Sequence, residues 1–427
     1  MKLLLDNVML CGLPAAERRY VTVEGGYITA IDTVRPNGTF DRVIAGEGRL
    51  LTPGLVNAHT HAAMTLFRGY GEDLPLDRWL HERIFPAEDR LTERAVYLGT
   101  KLSIAEMLAA GITSFSDMYF FCDATARAVA ECGMKANLSR SVVSFDPDAD
   151  YKNNGRVLEG IALFHEWNGA ENGRILVDLS LHAEYTNCAA AVRTVAEEAG
   201  RLGTRVHIHL SETKDEHEAC LGRHGVTPTV FFRQNGLFEN PVIAAHCVHL
   251  ESEDRAILAS HGATAVHNPI SNLKLGSGVM PLCDTLSAGV NVALGTDGAA
   301  SNNRLDILRE MQTALLLAKG ISGQPDCLRA DEALALATEN GARAQGRTDT
   351  GRIAVGARAD LVLFDLTGVH NLPLETPDAA LGYSAATSDV CMTMVDGQIL
   401  YENGEFSTLD VEKLKAEFAD MRAHYFD

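Results

Sequence analysis

The sequence holds no Cys-X-X-Cys pair among its nine scattered cysteines. No apolar run approaches the ~18 residues of a membrane span. The opening Met1-Lys2, followed by three leucines before Asp6 and Asn7, is too short for a secretory core. Positive charge is in deficit: 37 Lys and Arg stand against 57 Asp and Glu, a net charge of −20. Each shortage excludes something. The cysteine pattern argues against a disulfide framework and for a reduced, cytoplasmic compartment, with most thiols acting as small buried hydrophobes. An acidic chain repels phosphate backbones, so nucleic acid is not expected as a partner; nor is a membrane. What is present is ordinary for a globular protein: 427 residues, 46% hydrophobic and 22% charged.

The two ends of the chain resemble each other and differ from the middle. Short alternating runs at 20–23 and 27–31 are matched by runs at 359–364, 390–395 and 399–401. The Asp396-Gly397 pair between the last two is a hairpin signal. Both ends are therefore expected to pair into one small β-sandwich, contributed by residues 1–53 and 349–427. From Asp410, the spacing of Val411, Leu414, Phe418, Met421 and Tyr425 predicts an amphipathic terminal helix. Between the ends, over 54–348, eight candidate strands alternate with helix-length segments. They fall at 55–59, 113–117, 135–140, 175–182, 206–210, 242–246, 264–267 and 290–296. That alternation predicts an α/β fold, a parallel (β/α)8 barrel of the TIM type.

In such barrels functional residues sit at the C-terminal ends of the strands. The first strand ends in His59-Thr60-His61, two imidazoles at a spacing that faces them the same way. The fifth carries His207 and His209, with Glu212 following in the loop over the mouth. His209 lies nearer the strand end and is the better ligand candidate; His207 suits a hydrogen-bonded interior layer. The sixth ends at His246 and the eighth runs into Asp297. A carboxylate ending an apolar strand is costly unless paired or metal-bound, although capping the next helix is an alternative use. Neutral imidazoles with a carboxylate suit Zn2+ or Fe2+. The fourth strand has no lysine that could be carbamylated to bridge two ions, which favours one divalent metal; Glu184 is the other carboxylate that could bridge.

Long motifs strengthen this pattern. NAHTHAAMTLFRGYGEDLPLDRWLH at 57–81, PAEDRLTE, SDMYF, HLSETKDE, AHCVHL, HNPISNLKLGSG and GTDGAASNNRLD resemble the amidohydrolase superfamily. Within it they are most similar to the 5-methylthioadenosine/S-adenosylhomocysteine deaminases. GRIAVGARADLVLFD and MVDGQILYENGEF resemble the small β domain of that superfamily. The resemblance spans essentially the whole chain. It implies metal ligands His59, His61, His209 and Asp297, with Glu212 as proton shuttle and His246 beside the attacking water. It implies Trp79, Glu88, Arg140, Arg156 and His182 around the nucleoside, with Glu88 holding ribose hydroxyls and Arg156 expected in a loop, Asn154-Gly155-Arg156. Where the family commonly reads His-Ala-Pro-Tyr, this chain reads His182-Ala183-Glu184-Tyr185, which places a negative charge near the substrate lip.

The implied activity is metal-dependent deamination of an adenine nucleoside, with release of ammonia. Methylthioadenosine, S-adenosylhomocysteine, adenosine and 5′-deoxyadenosine are all candidates. Deamination of guanine, cytosine or an s-triazine, hydrolysis of a cyclic amide, and a non-catalytic barrel are the competing readings. Homo-oligomerisation is compatible with such a barrel.

Overall fold

The computed structural model describes residues 1–423 and 425. Eight parallel strand positions make the barrel. They are β1 (Leu55–Thr60), β2 (Ile112–Tyr119), β3 (Lys135–Val142), a split β4 (Ile175–Val177 and Leu179–Leu181), β5 (Val206–Leu210), β6 (Val242–His246), β7 (Thr264–His267) and β8 (Asn291–Leu294). Neighbours in sequence are neighbours in the sheet from β1 to β8. Alternation decides what each residue faces. On β5, Val206, Ile208 and Leu210 enter the core shared with the surrounding helices, while His207 and His209 lie on the other face.

The first three strands run slightly past the expected bounds, and two others fall short of them. The fourth is interrupted at Asp178, whose buried carboxylate accepts from Asn137 Nδ2 at 2.9 Å and pairs with Arg205 at 3.3 Å. The eighth ends at Leu294 instead of 296, because Asp297 turns into the left-handed region at φ 59°. The seam between first and last strands is correspondingly irregular. Thr296 N–H donates to Asn57 Oδ1 at 3.0 Å, and Asn57 Nδ2 donates to Thr296 Oγ1 at 2.7 Å. Asp297 N–H then reaches the His59 carbonyl at 3.0 Å. A side-chain amide thus closes the nearly complete barrel beside its mouth.

The chain ends form one nine-stranded sheet, in which Arg49–Pro53 of the first arm pairs antiparallel with Leu361–Asp365 of the second. The period of two serves both faces. Leu51, Leu361 and Leu363 join a core of their own with Leu5, Val23 and Met392. Leu50, Val362 and Phe364 face the other way, into the barrel's helical core. The hairpin at Asp396-Gly397 has positive φ at both residues (48° and 75°), as a two-residue turn matched to strand twist requires. Buried Lys135, at the base of β3, reaches Asp360 at 2.6 Å and Asp396 at 2.7 Å, tying sheet to barrel. Where the chain passes from sheet to barrel, Gly54 has no room for a side chain: a Cβ would lie 2.0 Å from Thr113 Oγ1. The terminal helix covers Val411–Ala423. No helix among the described residues is long and apolar enough to cross a membrane.

Candidate active site

Five donor side chains meet at the C-terminal mouth of the barrel. Asp297 Oδ1 lies 3.4 Å from His59 Nε2 and 3.2 Å from His61 Nε2. His61 Nε2 lies 3.4 Å from His209 Nε2. His246 joins His59 and His209 in a second group whose donor atoms all fall within 4.8 Å of one another. Every one of these side chains is held by its far atom. His61 Nδ1 donates to the Met118 carbonyl (2.6 Å), and His209 Nδ1 donates to the His182 carbonyl (2.8 Å). His246 Nδ1 donates to Asn272 Oδ1 at 2.8 Å, and His59 Nδ1 sits 2.9 Å from His207 Nε2. Asp297 Oδ2 accepts from Ser271 (2.7 Å) and Ser301 (2.6 Å). Anchoring of this kind fixes ring tautomers and leaves Nε2 and Oδ1 aimed inward.

Charge and spacing both fit a divalent cation. A tetrahedral ion at ~2.0–2.1 Å from its ligands separates them by roughly 3.3 Å, close to the separations found here. His59 Nε2 is buried and has no hydrogen-bond partner among the described residues. Burial lowers His59 to about 3 and takes His209 well below the ordinary imidazole range, so both offer lone pairs. Burial also opposes charge on His61, yet the hydrogen bond to Asp297 raises it to about 9. Asp297, despite its burial, is held well below the usual carboxylate range by the His59 and His61 rings beside it. Backbone strain collects here as well: His246 (φ 71°) and Asp297 (φ 59°) are both left-handed, a conformation costing about 1–2 kcal/mol in a non-glycine residue.

Glu212 stands beside this cluster. Its carboxylate is 3.8 Å from His246 Nε2 and accepts from Ser277 Oγ at 3.3 Å. Burial pushes it up. Glu216, one helical turn on, accepts from the Glu212 backbone amide at 2.7 Å and from that of Ser211 at 3.2 Å, fixing the loop. A cavity of about 590 Å³ opens over the cluster, with Trp79, Glu88 and His182 in its wall beside Glu212, His246 and Asp297. Leu76, Leu80, Phe120 and Leu275 give it apolar sides suited to a flat ring. Burial lifts Glu88 to about 7, opposed by the Tyr119 hydroxyl, and lowers His182 to about 4.

Arg140 and Arg156 do not line that cavity. They line an outer one of about 1250 Å³ that meets it at Glu88 and Phe120. Arg140 Nε is 2.5 Å from Glu159 Oε2, and its guanidinium lies 4.9 Å from the centre of the Phe120 ring. Arg156, expected in a loop, instead begins the helix Gly155–Trp167 capped by Asn154, and donates to the Val143 carbonyl at 2.7 Å. The expectation for Glu184 is overturned. It is 2% exposed and bonded to Arg223 and His224 of the helix Lys214–His224. With those partners it neither charges the substrate lip nor reaches the metal cluster.

A family model for the amidohydrolases matches residues 50–400. The chain belongs to the amidohydrolase family. A 5-methylthioadenosine/S-adenosylhomocysteine deaminase of Moorella thermoacetica is 47% identical over 378 residues, spanning 88% of this chain and 87% of the relative. A protein of the same name from Syntrophomonas wolfei is 41% identical over 424 residues, covering 98% and 97% of the two chains. Among solved structures, an adenosine deaminase from Xanthomonas campestris with bound zinc superposes with a TM-score of 0.92. It is 33% identical, and the match covers 100% of this chain and 98% of that one. The resemblance drawn from the motifs, and the barrel it implied, are therefore borne out.

In this amidohydrolase several site residues escaped the reading of strand ends. Asn272, Ser271 and Ser301 hold His246 and Asp297, Ser277 holds Glu212, and Glu216 holds the loop. All five lie inside the long motifs HLSETKDE, HNPISNLKLGSG and GTDGAASNNRLD, so the length of those motifs was the signal.

Proposed function

We propose that this amidohydrolase converts an adenine nucleoside to its inosine analogue, consuming one water and releasing one ammonia. The reading rests above all on one observation: three anchored imidazoles and Asp297 converge beneath an apolar cavity with Glu212 and His246 at its floor. The names carried by the Moorella and Syntrophomonas relatives support the same substrate class.

His59, His61, His209 and Asp297 hold one divalent ion, zinc as in the Xanthomonas relative or iron in its place. Bound there, such an ion supplies the Lewis acidity that makes hydroxide accessible near neutral pH. Asp297 takes a proton from the attacking water. Glu212, kept protonated more readily by its burial, gives a proton to the ring nitrogen next to the amino-bearing carbon. Without that proton the ring would have to carry the negative charge of attack. His246 Nε2 stabilises the oxygen that adds to the ring, and the proton taken by Asp297 passes to the amino group, which leaves as ammonia while the C–N bond breaks and the ring carbonyl forms. Trp79 and His182 bracket the nucleoside, Glu88 takes the ribose hydroxyls, and Arg140 and Arg156 face the 5′ substituent from the outer cavity. An arginine grips a carboxylate bidentately, which suits the amino-acid tail of S-adenosylhomocysteine.

We further propose a division into a barrel at 54–348 and a β domain from 1–53 and 349–427 that carries the terminal helix, with the protein placed in the cytoplasm; homo-oligomerisation is compatible with such a barrel. The functional reading is tested by ultraviolet monitoring of adenine-to-hypoxanthine conversion on adenosine, 5′-deoxyadenosine, methylthioadenosine and S-adenosylhomocysteine. Conversion of at least one is expected; conversion of none by zinc-loaded or iron-loaded protein overturns it.

A further inference from the structure

The terminal helix Val411–Ala423 follows the small sheet in sequence, yet its far end lies at the barrel mouth. Phe418, Met421 and Tyr425 pack on the cluster that contains Phe67, Trp79 and Ala87. The Tyr425 and Phe67 rings are 5.8 Å apart. Arg422 Nε donates to the Leu66 carbonyl at 2.9 Å, and the Tyr425 hydroxyl donates to the Ala87 carbonyl at 2.8 Å.

Ala87 immediately precedes Glu88. The segment that presents both Trp79 and Glu88 to the cavity is built from fragments: a four-residue helix (Leu76–Trp79), a π-turn (Leu80–Ile84) and another four-residue helix (Phe85–Glu88). Helices that short do not hold themselves in water. Their geometry comes from what they pack against, and the terminal helix supplies part of that support. Burial, with Glu88 nearby, pushes the Tyr425 phenol up to about 12, so it remains a donor throughout the physiological range.

We propose that Tyr425 is a positioning residue for Glu88: its hydroxyl, bonded to the Ala87 carbonyl, sets the carboxylate against the ribose 2′ and 3′ hydroxyls. The inference rests on the deaminase reading and on the ribose-binding role given to Glu88 there. Tyr425→Phe removes the hydroxyl and keeps the ring on Phe67. Steady-state kinetics of the metal-loaded enzyme with adenosine and with 2′,3′-dideoxyadenosine tests it.

The expected result is a rise in KM for adenosine of about threefold to tenfold, the factor that one hydrogen bond's net worth supplies. Little change is expected in kcat, and none in the kinetics of dideoxyadenosine. Glu88→Gln abolishes the effect of adding Tyr425→Phe. Equal losses on the two nucleosides, or additive losses in the double variant, overturn the inference and leave the deaminase reading standing. Failure of the wild type on both nucleosides, and on the methylthio and homocysteine analogues, overturns both. Should Tyr425→Phe fold poorly, Tyr425→Met gives the same comparison, judged by the same ratio of adenosine to dideoxyadenosine.

Discussion

Replacing Glu212 by Gln separates proton transfer from everything else the site does. The glutamine keeps the size of the side chain and can still accept from Ser277 Oγ, 3.3 Å away in the native protein. The loop stays in place, because Glu216 holds the backbone amide of residue 212 and not its side chain. None of the separations among His59, His61, His209 and Asp297 involves Glu212. Metal content should therefore remain at the wild-type level, and stability should change by no more than about 1 kcal/mol, the net worth of one hydrogen bond. What is lost is a transferable proton next to the ring nitrogen. A positioned acid of this kind is worth about 10²–10⁴-fold, or roughly 3–5 kcal/mol of barrel-mouth transition-state stabilisation. The assay pairs ultraviolet turnover with metal analysis of the same preparation. Turnover within tenfold of wild type at full metal content would refute the shuttle. Loss of the metal would refute the separation of roles and make Glu212 a ligand.

Arg156→Ala should cut kcat/KM for S-adenosylhomocysteine by about 10- to 100-fold, as for a charge-assisted hydrogen bond, and leave methylthioadenosine nearly unchanged; equal losses on both remove Arg156 from tail binding. Stripping the metal with a chelator should lower the melting temperature, and zinc should restore it. A site saturated 1,000-fold above its Kd contributes about 4 kcal/mol, so identical melting of chelated and zinc-loaded protein contradicts the site. Burial raises Glu310 from 4.5 to about 8, although Ile270 N–H and Asn302 Nδ2 both donate to it. The folded state thus binds the proton more tightly than the unfolded state. The contribution is full below about 4.5 and is lost as pH rises toward 8, by at most about 1.4 kcal/mol per unit. Urea midpoints of wild type and Glu310→Gln between pH 5 and 8 check this: wild type should lose ground steadily, and parallel profiles are the contrary result.

The barrel was legible because its signals are local. Strand ends stop on polar residues, the period of two separates His209 from Ile208, and Asp396-Gly397 announces its own turn. The convergence of His59, His61, His209, His246 and Asp297 follows once those strand ends share one mouth. Other features depend on partners far away in the chain. Nothing adjacent to Glu184 indicates that Arg223 and His224, some forty residues later, will bury and neutralise it. Nothing near Asp178 forecasts Arg205, and the amphipathic spacing of the terminal helix does not say which apolar surface it will cover. Arg156 was misplaced for a smaller reason: Asn154-Gly155 suits a turn, but Asn154 serves here as a helix cap.

The seam at Asn57 and the pairing of Arg49–Pro53 with Leu361–Asp365 have a consequence for biosynthesis. A ribosome delivers His59 and His61 early, but Asp297 and the strand that carries it come more than two hundred residues later. Until then the nascent polypeptide has an open barrel and an incomplete set of donors. The amino-terminal strands wait longer still, with an apolar edge uncovered until the stretch beginning at Leu361 emerges. A donor set that includes Asp297 cannot assemble until that strand is made, with 130 residues still to follow, and an early half with uncovered apolar edges is the part most exposed to misassembly.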